Sequence, residues 1–145
     1  GFTQLALRSA GLALNPQVEV LFTGTRNRQF QFEFQFQARS QQEALTILQI
    51  INTFKKYAAP SLAKGNAGRY FIVPGQFDIQ FKFKNDNNPY IGKISTCVLF
   101  NIAVNYVGAG QWATFSDGSP VHINLQLQFM ETDIIYSELI DQKGY

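Results

Sequence analysis

The stretch Gln29-Phe30-Gln31-Phe32-Glu33-Phe34-Gln35-Phe36-Gln37 decides the fold class. Side chains along a strand point alternately to its two faces, so this run puts phenylalanines on one side and amides with a single carboxylate on the other. A helix would scatter the same residues around its axis. The reading is a half-buried strand whose apolar side needs a cover. Upstream, Val18, Val20 and Phe22 alternate with Glu19 and Leu21 and stop at Thr23-Gly24. That predicts a second strand, able to pair with the first as a hairpin across Gly24–Asn27.

At Ser40 the period changes. Ser40-Gln41-Gln42-Glu43 is a capping box, in which the Ser hydroxyl takes a backbone amide and Glu43 reaches back. Ala44, Ile47, Leu48, Ile51 and Phe54 then form one apolar stripe, Lys55 and Lys56 favour the C-terminal end, and Pro60 stops the run. A helix over about 40–58 is the cover the strand needs.

Beyond the helix, residues 60–68 read as a loop, Arg69–Val73 as a short strand, and Phe77, Ile79, Phe81 and Phe83 as a one-sided strand. Asn85–Pro89 reads as a loop. In Ile94–Tyr106 both faces are apolar, which predicts a central strand covered on two sides. After a Gly-rich loop, Val121, Ile123, Leu125, Leu127 and Phe129 alternate with His122, Asn124, Gln126 and Gln128. The resulting order, ββαβββ, predicts one α+β, mainly β domain over 1–145. Its sheet is an antiparallel β-sandwich or a curled sheet, with one flanking helix, an arm at 1–14 and a tail at 133–145 of no assigned structure. Ile134, Ile135, Tyr136 and Leu139 make that tail too apolar to stand free in solvent.

Composition narrows the function classes. Of 145 residues 46% are hydrophobic, which rules out a disordered chain, and Cys97 is the single cysteine, which rules out a disulfide scaffold. A net charge of +2 is too thin for a binder that grips nucleic acid through a basic patch. No apolar run approaches the roughly 20 residues of a membrane-spanning helix, so no membrane anchor is expected.

Chemistry is sparse. His122 is the only histidine and lies on the polar side of a strand, and one His with one Cys does not make a metal site. Cys97 sits in an apolar strand, where burial raises a thiol pKa and lowers reactivity. Glu19, Glu33, Asp78 and Glu131 are scattered, and no phosphate loop or nucleophile motif occurs. No enzyme activity, cofactor or small-molecule substrate is expected. A ligand- or carbohydrate-binding β-domain using Trp112, Tyr106 and Tyr90 is the alternative from another class.

The unusual feature is the polar side of the strands. Gln29, Gln31, Gln35, Gln37, Asn124, Gln126 and Gln128 are neutral amides, with Glu33 the main exception. Solvated sheets usually carry more charge, which keeps their edges from pairing. Such a surface suits burial against copies of itself or the wall of an aqueous channel.

Several blocks resemble one family. They are Asn15–Gly24 (NPQVEVLFTG), the Phe-alternating strand, Ala38-Arg39-Ser40 with Glu43-Ala44 at the helix start, Ile50–Lys56 (IINTFKK) at its end, Gly110–Pro120 (GQWATFSDGSP) and Phe129–Thr132 (FMET). In order and spacing they are similar to the baseplate tail-tube initiator and cap proteins of contractile-tailed, T4-like bacteriophages, from about residue 15 onward. The resemblance implies a tail-tube fold and a homo-hexameric ring at the junction of baseplate and tail tube. The ring would stand on the baseplate hub against adjacent tube rings, in a virion assembled in the host cytoplasm. Double-stranded DNA would pass through the lumen as cargo. It implies no catalytic residues, and further sequence ahead of Gly1. Gln29, Gln31, Gln35, Asn124, Gln126 and Gln128 would line the lumen. Arg26, Arg28, Lys64, Arg69 and Trp112 would make contacts between subunits or rings. A tube protein of a related injection system, of type VI secretion or pyocin-like, is the alternative within this class.

Overall fold

The computed structural model describes residues 27–62 and 71–145. The elements are β1 (Gln29–Gln37), α1 (Gln41–Ala58), β2 (Ser61–Leu62), β3 (Phe71–Ile72), β4 (Gln76–Phe77), β5 (Lys82–Phe83), β6 (Asp86–Asn87), β7 (Cys97–Asn105), β8 (His122–Glu131) and α2 (Ser137–Lys143). They make an α+β, mainly β fold with a curled antiparallel sheet in the order β1-β8-β7-β4. The second layer of a sandwich is absent among the described residues. In its place stands α1, while β2–β3 and β5–β6 form two separate ribbons of two-residue strands. The arm at 1–14, the strand at 18–22 and its hairpin lie outside the described residues.

The strand read from the Gln-Phe alternation is β1, with the expected bounds. It pairs along its whole length with β8, from Gln29 opposite Met130 to Gln37 opposite His122. β8 alternates without a break: Ile123, Leu125, Leu127, Phe129 and Glu131 are buried, and the residues between them are half-exposed. Helix α1 supplies the cover. Ala44, Ile47 and Ile51 are buried against Leu99, Ile123, Leu125, Leu127 and Phe129, with Leu48 and Phe54 packed at the margin. Each fully buried aliphatic side chain contributes about 1.5–3 kcal/mol. Aromatic rings close the far end: Phe54 stacks on Phe77 at 6.1 Å, and Phe77 and Phe32 meet Phe129 edge-on at 5.4 and 5.9 Å.

The caps of α1 follow from its sequence. Ser40 Oγ accepts from the Glu43 amide at 3.2 Å. The Glu43 carboxylate reaches one residue further back than a capping box requires, accepting from the Arg39 amide at 2.8 Å. Ala59 is extended (φ −82, ψ 140), as a residue before proline prefers, and its N–H still caps the Lys55 carbonyl.

β7 does stand inside the sheet, between β8 and β4, but it is not covered on both faces. β7 begins only at Cys97, and β4 pairs with just its first two residues. The two-sided apolarity has another cause: a bulge at Phe100 breaks the register between Leu99 and Asn101. Before it Cys97 and Leu99 face the core, and after it the turn falls to Ile102 and Val104. Phe100 is 48% exposed.

The strand expected through Phe77–Phe83 is also corrected. Residues 77, 79 and 81 keep alternating as half-buried positions, but the ladder to β7 ends at Phe77. The next backbone groups on the partner side are taken by side chains. The Ser95 amide donates to Glu131 at 2.8 Å, and Cys97 Sγ donates to the Ser95 carbonyl at 3.2 Å. The chain then re-pairs locally: β5 and β6 form a small ribbon around Lys84 (φ 57), so Asn85–Pro89 is not wholly loop. Ser61–Leu62 pairs with Phe71–Ile72. The C-terminal tail holds the short helix α2, tied back by the Lys93 amide on the Gly144 carbonyl at 2.8 Å.

Candidate functional site

All six residues expected to line a lumen lie on one face of the sheet. Antiparallel pairing sets them in rows: Gln31 opposite Gln128, Glu33 opposite Gln126, and Gln35 opposite Asn124, with Gln29 beside Met130. Two residues that sequence reasoning missed extend the rows onto β7: Asn101 opposite Gln128 and Asn105 opposite Asn124, with Ala103 between them. They join the face because the bulge at Phe100 turns them outward. A signal was present in the sequence: Asn101 and Asn105 share odd numbers with Cys97 and Leu99, and one unbroken strand cannot put both pairs on compatible faces.

The rows are bonded across the strands. Asn101 Nδ2 donates to Gln128 Oε1 at 3.1 Å, and Gln128 Nε2 donates to Gln31 Oε1 at 3.1 Å. Within the ladders of β1, β8 and β7, Glu33 is the one carboxylate on this face, no Lys or Arg lies on it, and His122 stands at its end opposite Gln37. The sheet has two unlike open edges among these residues: the outer side of β1, and β7 from Leu99 onward.

The residues expected at contacts between subunits divide. Arg26, Lys64 and Arg69 lie outside the described residues. Trp112 is 61% exposed in the loop between β7 and β8, its ring edge-on to Tyr106 at 6.5 Å. That loop is braced by Phe115 N–H on the Ser119 carbonyl at 2.9 Å and by Gln41 Nε2 on Ser116 Oγ at 2.7 Å.

Arg28 is engaged inside the subunit. Its Nε and Nη2 donate to the two carboxylate oxygens of Glu131 at 2.7 Å each, and Nη2 also donates to the Lys93 carbonyl at 3.1 Å. Glu131 is fully buried. Burial alone would raise its carboxyl, but the hydrogen bonds from Arg28 and the Ser95 amide, with the Arg28 charge, hold it below the usual carboxylate range. The same hydrogen bond raises Arg28. The clasp joins the start of β1, the end of β8 and the approach to β7.

Cys97 is fully buried, and burial pushes its thiol up to about 11. The described residues gather no group of three or more His, Cys, Asp or Glu, and no described helix is long and apolar enough to cross a membrane. Comparison with protein-family models, curated proteins and solved structures found no match to this chain.

Proposed function

We infer that this protein is a structural subunit of a contractile phage tail, forming a hexameric ring where the baseplate meets the tail tube and lining the channel through which double-stranded DNA passes. The observation that carries the reading is the amide face: three strands wide and, among the described residues, free of Lys and Arg and flanked by two unlike open edges. A ring closes through heterologous contacts, so each subunit must offer two different surfaces to its neighbours. Strand edges serve that purpose by sheet augmentation. A polar wall without cations suits the bore, because cations there would bind DNA through counterion release. The chain's role on this reading is architectural, and chemistry is left to other components.

Imaging of the purified virion by electron cryomicroscopy tests it. The expected result is a ring of six copies at the tube–baseplate junction with Gln31, Gln126 and Gln128 facing the bore. Absence of the chain from the particle, or a position in which that face meets bulk solvent, overturns it.

A further inference from the structure

Residues 92–96 are gripped from two sides. On one side stands the clasp: Arg28 Nη2 donates to the Lys93 carbonyl at 3.1 Å, and the Ser95 amide donates to Glu131 at 2.8 Å. On the other stands the tail: the Lys93 amide donates to the Gly144 carbonyl at 2.8 Å, and a Cβ on Gly92 would stand 3.4 Å from the carbonyl carbon of Tyr145. Ser95, itself buried, shares a cleft of about 310 Å³ with Ile135, Leu139, Lys143 and Tyr145 of the tail. The tail is nonetheless lightly held. No residue of α2 is buried, its N-cap Tyr136 makes no side-chain capping bond, and Ile134, Tyr136 and Ile140 are exposed. We propose that α2 is a detachable strap that governs the clasp: docked, it holds residues 92–96 against Arg28 and Glu131, and released, it loosens the point where the chain enters β1. This coupling needs no ring and stands apart from the channel role.

A helix of 7 residues is too short to persist alone in water, so α2 keeps its form only while docked. Few buried contacts place it at the low-stability end of the molecule, where opening is local. Opening takes the Gly144 carbonyl away from the Lys93 amide and uncovers the cleft beside Ser95. Residues 92–96 then lose one of their two holds. The Lys93 carbonyl and the Ser95 amide must both keep their places for Arg28 and Glu131 to stay fully bonded. Asn27 joins the same corner, its Nδ2 donating to the Glu131 carbonyl at 2.6 Å. Coupling of this kind is reciprocal: whatever pulls on the chain at Asn27 and Arg28 changes the hold on α2 by the same factor.

Gly144→Val tests this in the isotopically labelled full chain, with hydrogen exchange against water read by NMR. Gly144 sits in the left-handed region (φ 71), which a β-branched residue resists, and a Cβ there meets nothing within 4 Å. The substitution therefore acts on the backbone that ends α2 and presents its carbonyl to Lys93. The Arg28 Nε–H and the Ser95 amide are expected to exchange about fivefold faster than in wild type, the low end for coupled sites. Amides at the centre of β8, such as that of Leu125, should keep their rates. Gly110→Val is the matched control, with the same handedness (φ 80) and the same open space in the loop between β7 and β8. It should leave Arg28 and Ser95 unchanged. In the reverse direction, Arg28→Lys should speed exchange at the Ile140 and Gly144 amides. Should Gly144→Val leave α2 docked, Leu139→Gly, which weakens the helix from within, is read in the same way. Open α2 amides with Arg28 and Ser95 at wild-type rates, or equal effects of the two glycine variants, overturn the proposal, whether or not virion imaging finds the ring.

Discussion

Glu131 shows how one side chain can govern a whole corner of a small fold. It is fully buried, yet it accepts hydrogen bonds from Arg28 and the Ser95 amide. Truncating its partner leaves a buried charge without compensation. Arg28→Ala is expected to cost about 3 kcal/mol, the low end for such a loss, because the Arg28 side chain is 36% exposed. Thermal unfolding should show this as a fall in Tm of roughly 10 °C. The pH dependence has a definite sign. A carboxyl held low in the folded state contributes stability that is complete above its unfolded pKa of about 4.3 and lost as pH falls through the folded value. Denaturant titrations of wild type and Glu131→Gln should differ by a constant amount from neutrality to about pH 5 and draw together as pH falls further, through the lowered folded value. Nothing in the sequence singled Glu131 out. Its alternation on β8 with apolar residues was visible, but its partners lie 103 and 36 positions away.

Among the elements, what was legible followed from period and punctuation. β1 and α1 carry strong local patterns and end where Ser40 and Pro60 say they should. Removing the Ser40 hydroxyl in Ser40→Ala should cost about 1 kcal/mol, measured by urea unfolding. What escaped was anything decided by a neighbour. Phe77–Phe83 has a strand's alternation, but side chains occupy the groups it would have paired with. β7 looked covered on both faces because its bulge mixed two faces into one apolar run. The bulge gives an unusual expectation. Deleting Phe100 leaves Leu99 inward, Asn101 outward and Ile102 inward, so the strand regains plain alternation. That variant should melt within a few degrees of wild type, whereas inserting one alanine after Leu125 in β8 should abolish cooperative unfolding. The opposite ranking in a thermal melt would mean that the bulge, and not the alternation, is what holds the sheet together. The amide face was legible on β1 and β8, and its third column was not, because Asn101 and Asn105 reach it only through the bulge.

For the molecule as a whole, the sheet divides labour between its sides. One side is sealed by α1 and a cluster of phenylalanines, and the other is left to amides with the carboxylate of Glu33 among them. Trp112 is the only tryptophan and lies outside both, beside Tyr106 in the exposed loop. Its emission should be that of a water-exposed indole in the isolated chain. It should shift to shorter wavelength on assembly if the loop is covered by a neighbouring ring, and an unchanged spectrum would place the contact elsewhere.

The sealed thiol has a practical corollary. With Cys97 fully buried and its ionisation displaced to about 11, a native subunit should be inert to maleimide or Ellman's reagent until it unfolds. A cysteine introduced at Gln126 would then be the single labelling handle on the molecule. A fluorophore attached there would report directly whether that surface becomes an inside.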